Sequence, residues 1–252
     1  MDIFACIVGR SQRQRHYMFH LAHGGDDVTL VYPFWVVVGA SKKPILVDTG
    51  FASDVAQAHG VTSYVDPSEM LGLLGFAPSD VETVVVSHLH YDHFGVPERF
   101  PNAAFAVQRE DVDYYTNRGL NHPARALADA KSLDALAGLR SAGRLREVQG
   151  DSSITQDLRV VHVGGHTPGM QIVVCESGAS RVVLACDASH FYENLETHTP
   201  TALIHDYEDY EHGFDTISQL AASGSWLPGH DPRMLDRLER VEQNIYRVPK
   251  ST

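Results

Sequence analysis

Val81-Glu82-Thr83-Val84-Val85-Val86 runs directly into Ser87-His88-Leu89-His90-Tyr91-Asp92-His93, and these adjoining stretches decide the fold. The first is a β-branched run of the kind that forms a buried strand. The second puts four potential metal ligands, His88, His90, Asp92 and His93, into the loop where that strand ends. Loops beyond strand ends are where α/β folds keep their chemistry. Neutral imidazoles and a carboxylate suit a borderline cation such as zinc, and the lack of cysteine speaks against a purely structural thiolate site. A solvated, histidine-rich loop is the plain alternative, but surface histidines seldom alternate this way straight after an apolar strand.

The same placement recurs along the chain. Val28 to Val38 and Pro44-Ile45-Leu46-Val47 read as strands joined in a hairpin by Gly39-Ala40-Ser41-Lys42-Lys43, and the second ends at Asp48-Thr49-Gly50. A carboxylate there can hydrogen-bond the far nitrogen of a metal-bound histidine, or simply form an Asx turn. Leu158 to Val163 is a further strand that runs into Gly164-Gly165-His166-Thr167-Pro168-Gly169. Gln171 to Cys175 and Arg181 to Cys186 form a pair across a Glu-Ser-Gly-Ala-Ser turn and end at Asp187, and Trp226-Leu227-Pro228 ends at Gly229-His230-Asp231. Five of the fifteen histidines, with aspartates among them, thus occupy loops at strand ends, which lets one sheet edge converge on a shared centre.

Between these strands, Ser53 to His59 and Pro67 to Leu74 read as short helices, Ala103 to Val107 as a strand, and the segment around Asp215 to Ala222 as helix. Glu110 to Arg146 turns helical, with Ala126, Leu127, Ala130, Leu133, Leu136, Ala137 and Leu139 at helical spacing. It is expected as an insert or cap that walls a pocket, with ordinary core packing as the blander account.

At 252 residues and 43% hydrophobic content the chain can bury one sizeable core, so one domain over residues 1–252 is expected. A net charge of -12 disfavours nucleic acid and anionic membrane surfaces and favours small neutral or weakly polar substrates. Cys6, Cys175 and Cys186 are odd in number and form no C-x-x-C pair, which points to reduced, buried thiols and a cytoplasmic setting. No apolar run has the length of a membrane span, and no secretory pattern opens the chain. The oligomeric state is left open between monomer and homodimer.

His88-x-His90-x-Asp92-His93, followed in order by His166, Asp187 and His230, resembles the signature of the metallo-β-lactamase superfamily. The resemblance covers nearly the whole chain, from the strand before Asp48 to His230. It implies a four-layer αβ/βα sandwich and two divalent metal ions, zinc first, with iron, manganese or cobalt as alternatives. His88, His90 and His166 would hold the first ion, Asp92, His93 and His230 the second, and Asp187 would bridge them. A hydroxide shared by two cations is available at neutral pH, so a doubled ligand set implies hydrolysis.

Within the superfamily the chain is similar to the N-acyl homoserine lactonase-like branch, which includes quorum-quenching lactonases. Nuclease branches bring basic surfaces, and glyoxalase II enzymes carry a C-terminal helical domain where only a brief tail follows His230 here. The branch implies ring opening of a small lactone, an N-acyl homoserine lactone or a catabolic one, by attack of the metal-bridging hydroxide, with Asp92 or Asp187 passing the proton to the ring oxygen. A thioesterase of the glyoxalase II type and a non-catalytic metal-binding sensor are the alternatives. Two departures stand out. Where the branch commonly places a tyrosine three residues after the bridging aspartate, this chain has His190, whose imidazole N–H can serve as the donor or can merely pack. Where a second histidine often follows G-H-x-P-G, it has Met170. Met18, Phe19, Phe191, Tyr192, Tyr207 and Phe214 are candidate pocket residues.

Overall fold

In the computed structural model, which describes residues 1–117, 123–178 and 180–250, the strands of the first half are β1 (Asp2–Arg13), β2 (Val28–Val38), β3 (Pro44–Val47), β4 (Thr83–Val85), β5 (Ala104–Gln108) and β6 (Leu145–Val148). Those of the second half are β7 (Ser152–Ser153), β8 (Leu158–His162), β9 (Gln171–Ser177), β10 (Ser180–Cys186), β11 (Ser225–Pro228), β12 (Glu239–Glu242) and β13 (Ile245–Arg247). The helices are α1 (Arg15–Met18), α2 (Ser53–Ala58), α3 (Pro67–Leu73), α4 (Arg109–Thr116), α5 (Ala130–Ser141), α6 (Tyr192–Glu196) and α7 (Tyr207–Ala221).

Side-chain alternation in β2 explains the layering. Leu30, Tyr32, Phe34, Val36 and Val38 enter one core, while Val31, Trp35 and Val37 enter another. A strand buried on both faces belongs in a sheet covered on both sides. Among the described residues the first sheet has eight strands in the order β12-β13-β1-β2-β3-β4-β5-β6, and the second has five, β11-β10-β9-β8-β7. One core lies between the sheets, where Val47, Val85 and Ala106 of the first meet Val160, Val173 and Leu184 of the second. The other lies outside the first sheet, where α3 contributes Met70 and Leu71, α4 Val112 and Tyr115, and α5 Leu133, Leu136 and Leu139. Helix α7 packs on β10 and β11 and buries Ile217, which completes the helix–sheet–sheet–helix sandwich.

Topology sets the site at one edge. Strands β3, β4, β5 and β6 are mutually parallel, with Val47 opposite Val85 and Val85 opposite Ala106, so their ends deliver Asp48, the His88 loop and the start of α4 to the same edge. In the second sheet β10 and β11 are parallel, with Cys186 opposite Pro228, so Asp187 and His230 emerge side by side. The close approach there requires Gly229, because a Cβ on it would fall 2.6 Å from the Cys186 carbonyl oxygen. Asp48 and Cys186 both adopt positive φ, +65° and +46°, a conformation uncommon for residues other than glycine that recurs at functional turns.

Three expectations change. The strand read over Val81 to Val86 is confined to Thr83–Val85, with Val81 serving as the C-cap of a 3-10 turn at Pro78–Asp80. The stretch from Glu110 to Arg146 is α4, a 3-10 turn at Pro123–Leu127, α5 and then β6, with residues 118–122 outside the described residues. Its leucines pack on the outer face of the first sheet, so α5 belongs to the helical layer. Ala179 of the Glu-Ser-Gly-Ala-Ser turn also lies outside the described residues. Strands β1, β12 and β13 were not anticipated.

Candidate metal centre

Three overlapping groups of donor atoms meet at this edge, one of them formed by Asp187, His190 and His230. His88, His90, His166 and Asp187 offer one ligand atom each, all within 4.8 Å of one another; Asp92, His93 and His230 do the same beside them, and all seven residues are buried. Asp187 stands between the groups. Its Oδ2 lies 3.7 Å from His88 Nε2 and 3.4 Å from His166 Nε2, and its Oδ1 lies 2.9 Å from His230 Nε2 and 3.2 Å from His93 Nε2.

The far nitrogens are fixed from behind. Asp48 accepts from His93 Nδ1 at 2.7 Å, the Leu203 carbonyl from His166 Nδ1 at 2.9 Å and the Val31 carbonyl from His230 Nδ1 at 2.8 Å, while His88 Nδ1 meets Ser87 Oγ at 3.1 Å. Once a ring donates its Nδ1–H to such an acceptor, the neutral imidazole presents only a lone pair at Nε2. Asp48 is itself held by the Ser87 N–H at 2.7 Å and hydroxyl at 2.9 Å, so it takes the partner role rather than that of an isolated turn residue.

The donor set fits a cation on its own chemistry. His88 Nε2 and His90 Nδ1 sit 2.9 Å apart, and His166 Nε2 sits 3.1 Å from the same His90 nitrogen. Burial drives His88 and His166 well below the ordinary imidazole pKa and His90 down to about 4, so these rings stay neutral. Neutral rings aimed at one point cannot supply every pairwise hydrogen bond; a shared cation satisfies all of their lone pairs. In the neighbouring group burial opposes charge on His93, yet Asp187, Asp92 and Asp48 outweigh it and raise its pKa well above the usual value. His230 is likewise raised by Asp187 and Asp92 against burial. His93 Nε2 is nevertheless buried with no hydrogen-bond partner. Excess carboxylate charge beside an orphaned ring nitrogen is what a divalent cation would neutralise.

His190 lies against the same centre, 3% exposed, with Nε2 3.0 Å from Asp187 Oδ2 and Nδ1 buried without a hydrogen-bond partner. It lines a cavity of ≈ 290 Å³ that also touches His90, Asp92, Asp187 and His230. Of the candidate pocket residues Met18 lines this cavity. Phe19 and Phe191 are buried against each other, Tyr192 packs on Trp226, Phe214 is in the core, and Tyr207 is 44% exposed. Met170 is fully buried between the sheets, so it packs where the branch often has a second histidine.

One residue of evident importance was missed. Asp111, in the first turn of α4, is fully buried and accepts from the Leu89 N–H at 3.1 Å, the Thr167 hydroxyl at 3.1 Å and the Gly169 N–H at 2.6 Å. It thereby ties the loop carrying His88 and His90 to the loop carrying His166. The sequence carries a signal for it, since it too is a carboxylate just beyond a strand, but the helical character of the segment it opens masks that signal.

Comparison with known proteins agrees with this geometry. A family-wide pattern described as the metallo-beta-lactamase superfamily matches residues 28–235. An N-acyl homoserine lactonase of Bacillus sp is 30% identical over 207 residues, covering 76% of this chain and 73% of that protein. The crystal structure of a quorum-quenching N-acyl homoserine lactone lactonase superposes with a TM-score of 0.81 at 22% identity, over 95% of this chain and 96% of that one. A dizinc quorum-quenching lactonase, solved with a product homoserine, superposes with a TM-score of 0.74 at 17% identity, over 99% and 94%.

Proposed function

Because the chain belongs to the metallo-β-lactamase superfamily, we propose that it is a metal-dependent hydrolase that opens the ring of a small lactone, as its lactonase relatives do. The observation that carries this is the meeting of two donor groups, His88, His90, His166 and Asp187 in one and Asp92, His93 and His230 in the other, with Asp187 Oδ1 3.2 Å from His93 and 2.9 Å from His230 of the second. His88, His90 and His166 would hold one divalent ion and Asp92, His93 and His230 a second, with the Asp187 carboxylate within reach of both sets of imidazoles. Zinc is the first choice, because nitrogen and carboxylate donors suit it and a dizinc lactonase shares the fold. The ions, when bound, supply Lewis acidity and a hydroxide at neutral pH.

The chain's own groups then orient and exchange protons. Asp48 and the Leu203 and Val31 carbonyls hold the rings in one tautomer, and Asp92, at the cavity wall, is placed to pass a proton to the ring oxygen as the C–O bond breaks. One water is consumed and a hydroxy acid leaves. A cytoplasmic setting accords with three free, buried cysteines, and no helix among the described residues is long and apolar enough to cross a membrane.

Metal content, measured alongside hydrolysis of matched lactone and thioester panels, tests the proposal. Two equivalents per chain and faster lactone opening are expected; faster thioester cleavage would reassign the enzyme, and full metal with no turnover would leave a sensor. Metal occupancy should fall as pH is lowered, because His93 and His230 hold protons above their ordinary pKa and must release them to become ligands.

His190 supplies the second test. Its Nε2 faces Asp187 at the cavity wall, where an N–H can meet negative charge developing on the carbonyl oxygen. His190→Ala is expected to raise the barrier by about 3 kcal/mol, the usual cost of one lost oxyanion donor, with metal content unchanged. His190→Tyr should restore part of the rate. A melting-temperature change with wild-type kinetics would mean that the ring only packs.

A further inference from the structure

The cavity beside the cluster ends in a polar wall built around Arg13. Among the described residues Arg13 is the only lysine or arginine lining the cavity, it is half-buried, and it is anchored from behind. Nη1 donates to the Gln12 carbonyl at 2.9 Å, and Nη2 donates to the His59 carbonyl at 2.7 Å and the Tyr32 hydroxyl at 3.3 Å. Among the described residues no carboxylate pairs with it, whereas the half-buried Arg15 and Arg99 pair with Glu193 and Asp66. Tyr32 and Tyr91 line the same wall; Tyr32 is fixed by Ser11 Oγ at 2.8 Å, and the His59 ring stacks on Tyr91 at 3.8 Å. Met18, Leu30, Leu127 and Leu203 give the remaining surface an apolar character.

A half-buried cation offset only by neutral acceptors has lost solvation without gaining a counter-ion. With Nη2 donating twice, Nε–H and the second Nη1 N–H are the guanidinium donors left for a ligand; a carboxylate accepts from them more strongly than any neutral group, and phenol hydroxyls add donors of the same sense. Tyr32 sets the distance: its ring lies 5.3 Å from that of His230, and its hydroxyl reaches Arg13. Building on the lactonase reading, we propose that the lactone opened at this site bears a carboxylate about one tyrosine side chain away from the ring carbonyl, and that Arg13 selects it. The overall charge of -12, which alone would favour a neutral substrate, is screened beyond about a Debye length; within the cavity Arg13 stands with Asp92 and Asp187, whose negative charge bound metal ions would offset. Hydrolysis adds one water across the ring C–O bond and releases one proton, so the product is a hydroxy dicarboxylate.

The test uses matched pairs on one ring: N-succinyl- and N-glutaryl-homoserine lactone against the N-pentanoyl and N-hexanoyl compounds, with metal-loaded enzyme. In wild type kcat/KM should favour the carboxylated member by about 30-fold or more, mainly through KM. Arg13→Gln should bring that ratio to about 1 and Arg13→Lys to a value between. A wild-type ratio near unity, or a ratio that survives in Arg13→Gln, overturns the proposal. If neither lactone of a pair is opened, the lactonase reading fails by itself, and calorimetry with open-chain N-glutaryl- and N-hexanoyl-homoserine decides the Arg13 inference: tighter binding of the former, lost in Arg13→Gln, upholds it, and equal binding overturns it. Arg13 also holds the carbonyl that ends α2, so melting temperatures accompany each variant; should Arg13→Gln not fold, the wild-type ratio and Arg13→Lys carry the decision.

Discussion

Asp187→Ala is expected to reduce turnover by at least about a thousandfold, equivalent to roughly 4 kcal/mol in barrier, and to bring metal content below two equivalents. Among the described residues Asp187 is the one side chain whose oxygens reach toward both donor groups, Oδ2 toward His88 and His166 and Oδ1 toward His93 and His230. Without it, two divalent charges would share a buried site with one carboxylate fewer to offset their repulsion. A readout independent of activity follows from the imidazoles. In the metal-free protein Asp187 is foremost among the groups raising the pKa of His93 and His230 against burial, so removing it should lower both, as followed by NMR of the ring protons. Asp187→Asn separates charge from shape, since the amide keeps the volume but not the charge. Full metal content and activity in either variant would show that the shared carboxylate is assigned wrongly.

The donor residues were legible in the sequence because each follows a short apolar strand, and the continuous apolar run of β2 and the β-branched runs of β4 and β10 force those strands into the sandwich. What stayed hidden depends on contacts distant in sequence. Strand β1 pairs along β2 but shifts register between Ile7 and Arg10, where Gly9-Arg10-Ser11-Gln12 breaks the apolar pattern. Strand β12 is exposed throughout, so hydrophobicity carries no trace of it. Arg13 reads as one of several basic residues near the N-terminus; only the pairing of Arg13 with Val28 and its hydrogen bond to the end of α2 turn it toward the cavity. Asp111 is identified by three donors from two loops, the farthest of them 58 positions away.

Asp111 is therefore the residue outside the donor set whose loss should be felt most. Asp111→Ala leaves the Leu89 N–H, the Gly169 N–H and the Thr167 hydroxyl without their acceptor in a fully buried place. At about 1–3 kcal/mol for each stranded donor, a destabilisation of about 4 kcal/mol or more is expected. Gly169 cannot drift inward to compensate within a packing where even a Cβ on it would lie 2.7 Å from the Asp111 nitrogen. Because Leu89 sits between His88 and His90, and Thr167 next to His166, metal affinity should fall with stability. Charge can be tested apart from geometry. Burial pushes the Asp111 carboxyl up to about 6 from the ordinary carboxylate value of 3.8, against its three donors. Below the unfolded value both states are protonated; as pH rises toward the folded value the native state keeps a proton that the unfolded state has lost, so stability falls through that window and stays lower above it. Asp111→Asn cannot titrate. In urea denaturation of metal-free protein, the stability of wild type relative to Asp111→Asn should decline by about 2 kcal/mol between roughly pH 4.5 and pH 7. A difference that is flat across that range would mean that Asp111 is already ionised in the acid limb, and that its three donors outweigh its burial.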